Sequence, residues 1–212
     1  VLESVRGGIF FNSGQVCSAM SRILVHRSRY AEVVERIAEM AAGLSIGAGV
    51  DNPDITPLVS AEQLERVERM CRTASDEGAR ALTGGARVAD TDGYFMQPTV
   101  FADVTPEMEI AREEVFGPVI AALPFDTEDE AIALANGTDY GLVAGVFTRN
   151  LDRAFRTAHR LIAGQVFVNE WFAGGIETPF GGTKLSGYGR EKGQEALYSY
   201  LRTKNIAVRV RG

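Results

Sequence analysis

Apolar residues along this chain switch between helical and strand-like spacing from one end to the other. After the run Ile23-Leu24-Val25, the positions Tyr30, Val33, Val34, Ile37, Met40 and Ala41 recur at helical spacing, with Ser28 placed to cap that helix. Gly47 to Pro57 is rich in Gly, Pro and Asp and reads as a connection. Ser60 and Gln63 form an S-x-x-Q capping box, which opens a helix carrying Leu64, Val67 and Cys71 on one face. A turn at Gly84-Gly85 leads into an extended stretch through Tyr94, Phe95, Pro98, Val100 and Phe101.

The second half is more sharply patterned. Val119 to Leu123 is an apolar run, and Thr127 with Glu130 caps a short helix to about Ala135. Leu142 to Phe147 is a second run; Leu151, Ala154, Phe155, Ala158, Leu161 and Ile162 mark a helix; Val166-Phe167-Val168 is a third run. Strands apolar on both faces, separated by amphipathic helices, imply a mostly parallel sheet with helices on both faces. Right-handed crossovers make that a doubly wound α/β fold. Asn205 to Val210 alternates like a strand and is expected to pair with another element or subunit, as an oligomerisation-type terminal strand. The simplest division is one domain over residues 1–200 and a tail over 201–212, with no internal repeat or low-complexity linker.

Composition narrows the classes. A chain of 212 residues with 45% hydrophobic and 24% charged side chains is that of an ordinary globular protein. The net charge of −6 disfavours nucleic acid as a partner, and no apolar run reaches the roughly 18 residues that a bilayer span needs. Two cysteines, Cys17 and Cys71, suit a reducing cytoplasm better than a disulfide scaffold. With two histidines and no Cys/His cluster, no metal site is expected. The chain begins at Val1 without a charged-then-apolar leader, which points to processing or to excision from something longer.

Cys17 lies in Phe10-Phe11-Asn12-Ser13-Gly14-Gln15-Val16-Cys17-Ser18, a small and polar stretch ahead of a strand. Composition alone favours a buried core thiol. The other reading is a nucleophile on a loop whose backbone N–H groups face a developing oxyanion. Residue spacing leaves both open. Cys71, on the apolar face of a helix, reads as core.

That F-x-N-x-G-Q-x-C stretch resembles the active-site segment of the aldehyde dehydrogenase superfamily. Four further segments resemble the same family in order and spacing: Tyr94 to Val100, Glu113 to Val119, Asn136 to Leu142, and Thr178 to Gly187. The likeness covers essentially the whole chain. It implies that Cys17 attacks an aldehyde carbon, that hydride passes to NAD or NADP, and that the thioester is hydrolysed to a carboxylic acid. The Cys17 N–H would share in stabilising the oxyanion. By the same resemblance, Glu114 binds the nicotinamide ribose hydroxyls, Phe116 packs beside that ribose, and Gln63 and Arg66 contact the cofactor more weakly. Glu191 would stand near the water path behind the thioester as a second catalytic residue. Phe11, Trp171 and Phe172 would line the aldehyde channel, favouring an apolar or aromatic aldehyde. Asn169 would end a strand and orient the cysteine loop. The intact enzyme is implied to be a homo-oligomer, a dimer or tetramer, and Arg202 stands where some relatives carry an acid that organises subunit contacts.

The resemblance also implies parts outside these residues. They are an N-terminal Rossmann-type cofactor domain, the glutamate of an E-L-G-G motif that activates water, and an asparagine that completes the oxyanion hole. No G-x-G-x-x-G fingerprint occurs here. Losing an oxyanion donor costs about 10²–10³ in rate and losing a general base roughly 10²–10⁴, so these 212 residues alone are expected to be nearly inactive. The alternatives are transfer of the acyl group to coenzyme A, a non-catalytic chain that assembles through an exposed face, and a cofactor-free thiol hydrolase pairing Cys17 with His26 or His159. The choice between NAD and NADP, and the natural aldehyde, are not encoded in these residues.

Overall fold

A computed structural model describes residues 1–210. Strands β1 (Arg22–His26), β2 (Arg80–Thr83), β3 (Thr99–Ala102) and β4 (Val119–Phe125) form a four-stranded sheet in the order β1-β4-β3-β2. β4 is parallel to both neighbours, pairing Ile23 with Ala122 and Val100 with Ile120, whereas β2 is antiparallel at the edge. Because side chains alternate across a strand, β3 and β4 feed two separate cores. Val100, Ala102, Ile120 and Ala122 pack with Val34, Ile37 and Ala41 of helix α2 (Tyr30–Ala42) and with Val5 and Ile9 near the N-terminus. Phe101, Val119, Ala121 and Leu123 pack with Leu64, Val67, Met70, Cys71 and Ala74 of helix α3 (Ala61–Asp76). The expected α/β arrangement, a mostly parallel sheet with helices on both faces, is therefore present.

Helices α1 (Leu2–Val5) and α4 (Glu109–Arg112) are single turns; beyond helix α5 (Glu128–Asn136) the chain builds two small units. β5 (Tyr140–Gly141) pairs antiparallel with β8 (Thr183–Lys184). β6 (Val143–Val146) and β7 (Gln165–Val168) pair in parallel around helix α6 (Leu151–Arg160). These pairs are not hydrogen-bonded into the four-stranded sheet, so the single continuous sheet expected from the pattern is three sheets.

Other boundaries differ for identifiable reasons. Ser28 does not cap α2; it lies in a 3₁₀ turn, where its hydroxyl meets His26 Nδ1 at 2.8 Å, and Arg29 precedes the helix. α6 stops at Arg160, short of Leu161 and Ile162, because Asn136 donates to the Arg160 carbonyl and accepts from the Ile162 N–H. Within this chain the tail forms no strand: residues 201–210 are exposed and without regular structure, and they pair with none of its sheet edges. The last part of the expected tail, residues 211–212, lies outside the described residues.

The chain exposes 12710 Å², against about 9,600 Å² for a compact monomer of its size. No helix among the described residues is long and apolar enough to cross a membrane.

Candidate active site

Cys17 is exposed, at the corner of a tight turn closed by the Ala19 N–H donating to the Val16 carbonyl at 2.9 Å. The core-thiol reading, favoured by composition, does not hold for it. The approach to this turn is unusual: Asn12, Ser13 and Gly14 are all left-handed, with φ of 50°, 55° and 75°. Each non-glycine residue in that region costs about 1–2 kcal/mol, and the surroundings supply compensation. Ser13 is buried; its hydroxyl donates to the Thr56 carbonyl at 2.8 Å and accepts from the Thr56 N–H at 3.0 Å. Gln15 Oε1 accepts from the Val59 N–H at 2.9 Å. Gly14 has no alternative, because a Cβ there would sit 2.0 Å from the Gly117 carbonyl oxygen. The cysteine loop is thus pressed directly onto the loop of Glu114 to Pro118.

That contact brings Cys17, Glu114 and Phe116 into one cavity of about 310 Å³, which Arg22, Glu113 and Tyr140 also line. Glu114 is exposed as a residue, yet partial withdrawal from water raises its carboxyl pKa, an effect opposed by the nearby Arg66 cation. Its carboxylate accepts no hydrogen bond among the described residues, because Arg66 Nη2 donates instead to the Glu114 backbone carbonyl at 2.8 Å. Gln63 Nε2 donates to the Val115 and Phe116 carbonyls at 3.1 and 2.8 Å. Gln63 and Arg66 therefore hold the backbone that carries Glu114 and Phe116, and neither lines the cavity. Phe116 itself is left-handed, with φ 58°. Tyr140 donates to Glu113 Oε2 at 3.4 Å, and its phenol pKa is raised by desolvation and by the Glu113 and Glu114 carboxylates.

The three aromatic residues assigned to the channel come together outside that cavity. Phe11 and Phe172 meet edge-on at 6.4 Å, and Trp171 meets Phe172 at 6.4 Å and Phe167 at 5.3 Å. Trp171 also donates to the Ser18 carbonyl. Asn169 ends β7 as expected, but its side chain bonds both backbone groups of Thr148 and does not reach the cysteine loop.

Glu191 is not brought to the cysteine. It is exposed, its backbone is paired with Phe180, and it does not line the cavity. His26 and His159 are likewise exposed and outside the cavity, which removes the geometric basis for a Cys–His dyad. Cys71 is buried and its thiol is pushed up to about 12 by desolvation, as a core residue should be. No group of acidic, His or Cys side chains among the described residues could hold a metal.

Sequence reasoning missed three contributors. Ser13 and Thr56 are 43 positions apart and carry no joint signal. Arg22, whose largely buried guanidinium donates to the Leu134 and Ala135 carbonyls at 3.2 and 3.0 Å, caps the C-terminus of α5; burial lowers its pKa.

The chain that carries this site has close relatives among known proteins. The aldehyde dehydrogenase family model matches residues 1–206, and the chain belongs to that family. A betaine aldehyde dehydrogenase of Cereibacter sphaeroides is 46% identical over 213 aligned positions, covering 98% of this chain and 44% of that protein. Among solved structures, an NAD+ complex of an aldehyde dehydrogenase from Bacillus cereus superposes with a TM-score of 0.95 at 43% identity, covering 99% of this chain and 43% of that one. A variant betaine aldehyde dehydrogenase from Staphylococcus aureus, in complex with NAD+ and with a BME-modified cysteine, gives 0.93 at 38% identity, over 97% and 43%. The chain spans about two-fifths of the length of the curated relatives it matches.

Proposed function

We propose that this chain carries the catalytic cysteine of an NAD(P)-dependent aldehyde dehydrogenase that oxidises a small-molecule aldehyde to a carboxylic acid. The observation that supports it best is the lock between two loops at Gly14 and Gly117, which sets Cys17 and Glu114 on one cavity. A thiolate on an exposed turn can add to a carbonyl and later leave from a thioester. The Cys17 backbone N–H, on that turn, is available to the oxyanion of the thiohemiacetal.

A nicotinamide held in this cavity beside Glu114 and Phe116 would supply the acceptor for the hydride of the former aldehyde carbon. Glu114 fits that group: its carboxylate is partly desolvated and unpartnered, so both oxygens are open to the hydroxyls of a ribose. Phe116 supplies an apolar wall of the same cavity. Gln63 and Arg66 fix the loop from behind, so Glu114 is presented on a backbone that does not have to be ordered on binding. The cluster of Phe11, Trp171 and Phe172 suits an aldehyde with an apolar, aromatic or alkylammonium end, the last through the ring faces. The relatives named for betaine aldehyde make that last class worth including.

The test is NADH formation by the protein carrying this chain, with a short-chain, an aromatic and a trimethylammonium aldehyde. Cys17→Ala should remove turnover with all three. Glu114→Gln should raise KM for the nicotinamide cofactor more than KM for the aldehyde. Turnover that survives Cys17→Ala would end this reading. Acyl transfer to coenzyme A would show as product formation that depends on added coenzyme A.

A further inference from the structure

Trp171 reaches out of the β6–β7 unit to the turn that carries Cys17. Its indole N–H donates to the Ser18 carbonyl at 3.0 Å, and Ser18 is the buried neighbour of the exposed cysteine. Cys17 and Ser18 are the two central residues of the turn closed from Ala19 to Val16. The indole therefore supplies the partner of a carbonyl inside the turn, where water has little access.

The ring is wedged as well as bonded. A Cβ on Gly8 would lie 3.2 Å from Trp171 Cδ1, and a Cβ on Gly145 would lie 2.6 Å from Cζ3. Gly8 sits in the helical turn leading into the cysteine loop, and its carbonyl accepts from the Met20 N–H at 2.8 Å just beyond it. Gly145 belongs to β6 and Phe167 to β7. The indole thus touches the segment before the turn, the turn itself and both strands of a sheet that shares no backbone pairing with β1.

We infer that Trp171 is a positioning residue for the nucleophile: through the Ser18 carbonyl and the slot between Gly8 and Gly145, it makes the placement of the Cys17 turn depend on the β6–β7 unit. This rests on Cys17 being the reactive thiol. An aromatic wall of a substrate channel would need only the ring; the role assigned here needs the N–H and the two glycines.

Trp171 is the single tryptophan of the chain, so its emission reports on this site alone. The experiment alkylates Cys17 with iodoacetamide, follows the rate by mass spectrometry of the Cys17 peptide, and records tryptophan emission before and after. Alkylation of the unsubstituted chain should change the emission intensity or maximum. Trp171→Phe, which keeps a ring without the donor, should change the alkylation rate by roughly threefold to tenfold, the factor that losing one buried hydrogen bond corresponds to. Gly145→Ala, which keeps the donor but displaces the ring, should change it in the same direction. In turnover by the protein carrying this chain, the loss in Trp171→Phe, which keeps the ring, should fall on kcat and not on KM for the aldehyde.

Parent-like alkylation rates in both variants would overturn the inference, and so would a loss confined to the aldehyde KM. If neither variant folds, the unsubstituted chain decides: emission unmoved by complete alkylation of Cys17 overturns the inference, and a response upholds it. A Cys17 that alkylates no faster than Cys71 in the unsubstituted chain would instead overturn the reading of Cys17 as nucleophile. The emission test stands apart from that result, because slow alkylation can still be driven to completion.

Discussion

The two parts of this chain, before and after residue 137, are held together very differently. Among the described residues, every buried hydrophobic one except Ala154 and Phe167 lies at or before Ile132. The first part packs two faces of one sheet against α2 and α3; the second has two strand pairs, α6 and a short helix over Glu195–Tyr198, and it exposes Leu151, Phe155, Ile162, Ile176 and Leu185. The cysteine and Glu114 loops belong to the first part and draw their rigidity from it, while Trp171 and Phe172 belong to the second. The cysteine and Glu114 loops thus rest on a well-built core, and the aromatic pair Trp171 and Phe172 rests on a region that buries little of its own. Such a region opens at low free energy unless other surfaces cover it.

The sharpest way to break this contrast is at the joint between the cysteine loop and the Glu114 loop. Gly14→Ala should cost about 4 kcal/mol or more, because a Cβ cannot coexist with the Gly117 carbonyl and the left-handed backbone adds strain. Urea unfolding measures it, and near-wild-type stability would mean the two loops are not in contact. Next in size is a matched pair of truncations. Phe101→Ala, in the fully buried centre of the sheet, should cost about 3–5 kcal/mol. Phe167→Ala, in the thin second part, should lower the global unfolding free energy by less than about 2 kcal/mol. Equal losses would show that the two parts unfold as one unit.

Much of the first part was legible because its elements carry complete local signals. Val119 to Leu123 is apolar at every position and became β4, and the spacing of Val33, Val34, Ile37 and Ala41 became one face of α2. Capping was half legible. Ser60 and Thr127 do accept from Gln63 and Glu130 backbone N–H groups. The reciprocal side chains go elsewhere: Gln63 to the loop behind Glu114, and the Glu130 carboxylate to the Asp126 N–H. Tertiary demand displaced the local motif at Gln63, whereas Glu130 shifted by one residue, to the N–H just before the N-cap. The site itself was legible only as a motif. That Gly14 abuts Gly117 and that Ser13 is held by Thr56 are contacts over long separations, with no periodic trace. The tail teaches the opposite lesson: alternation at 205–210 becomes a strand only where an edge receives it, and no edge within this chain does so.

The two cysteines restate the contrast on a smaller scale. Cys71 sits in the α3 core with its thiol pushed up to about 12 by burial. In the folded chain it should resist alkylation at pH 9, while exposed Cys17 reacts. The raised value also has a consequence for stability. Unfolding returns the thiol to an ordinary value near 8.5, so above that pH the unfolded chain holds fewer protons than the folded one. Stability should therefore fall as pH rises from about 9 towards 12, by up to about 1.4 kcal/mol per unit. Comparing urea midpoints of the unsubstituted chain and Cys71→Ala at pH 8 and pH 10 checks this. A gap between the two that does not narrow at the higher pH would show that the thiol is not desolvated.

The smallest effect is expected where the first part meets solvent. Asp54 is held at about 2 by hydrogen bonds from the Ser45 hydroxyl and N–H and from Arg6, whose guanidinium pairs with it. Because this value lies below that of the unfolded chain, the stabilisation is complete above about pH 4 and is lost as pH falls through about 2. The pair is partly open to water, so Asp54→Asn should cost under about 1 kcal/mol at neutral pH, less still at high salt. Arg6 lies in the helical segment that leads to the cysteine loop, and Asp54 lies two residues before Thr56, which holds Ser13. If the ion pair serves only the surface, Asp54→Asn should leave Cys17 alkylation unchanged while it moves the acid unfolding midpoint. A change in the Cys17 rate without loss of stability would extend the supports of the active-site turn out to the protein surface.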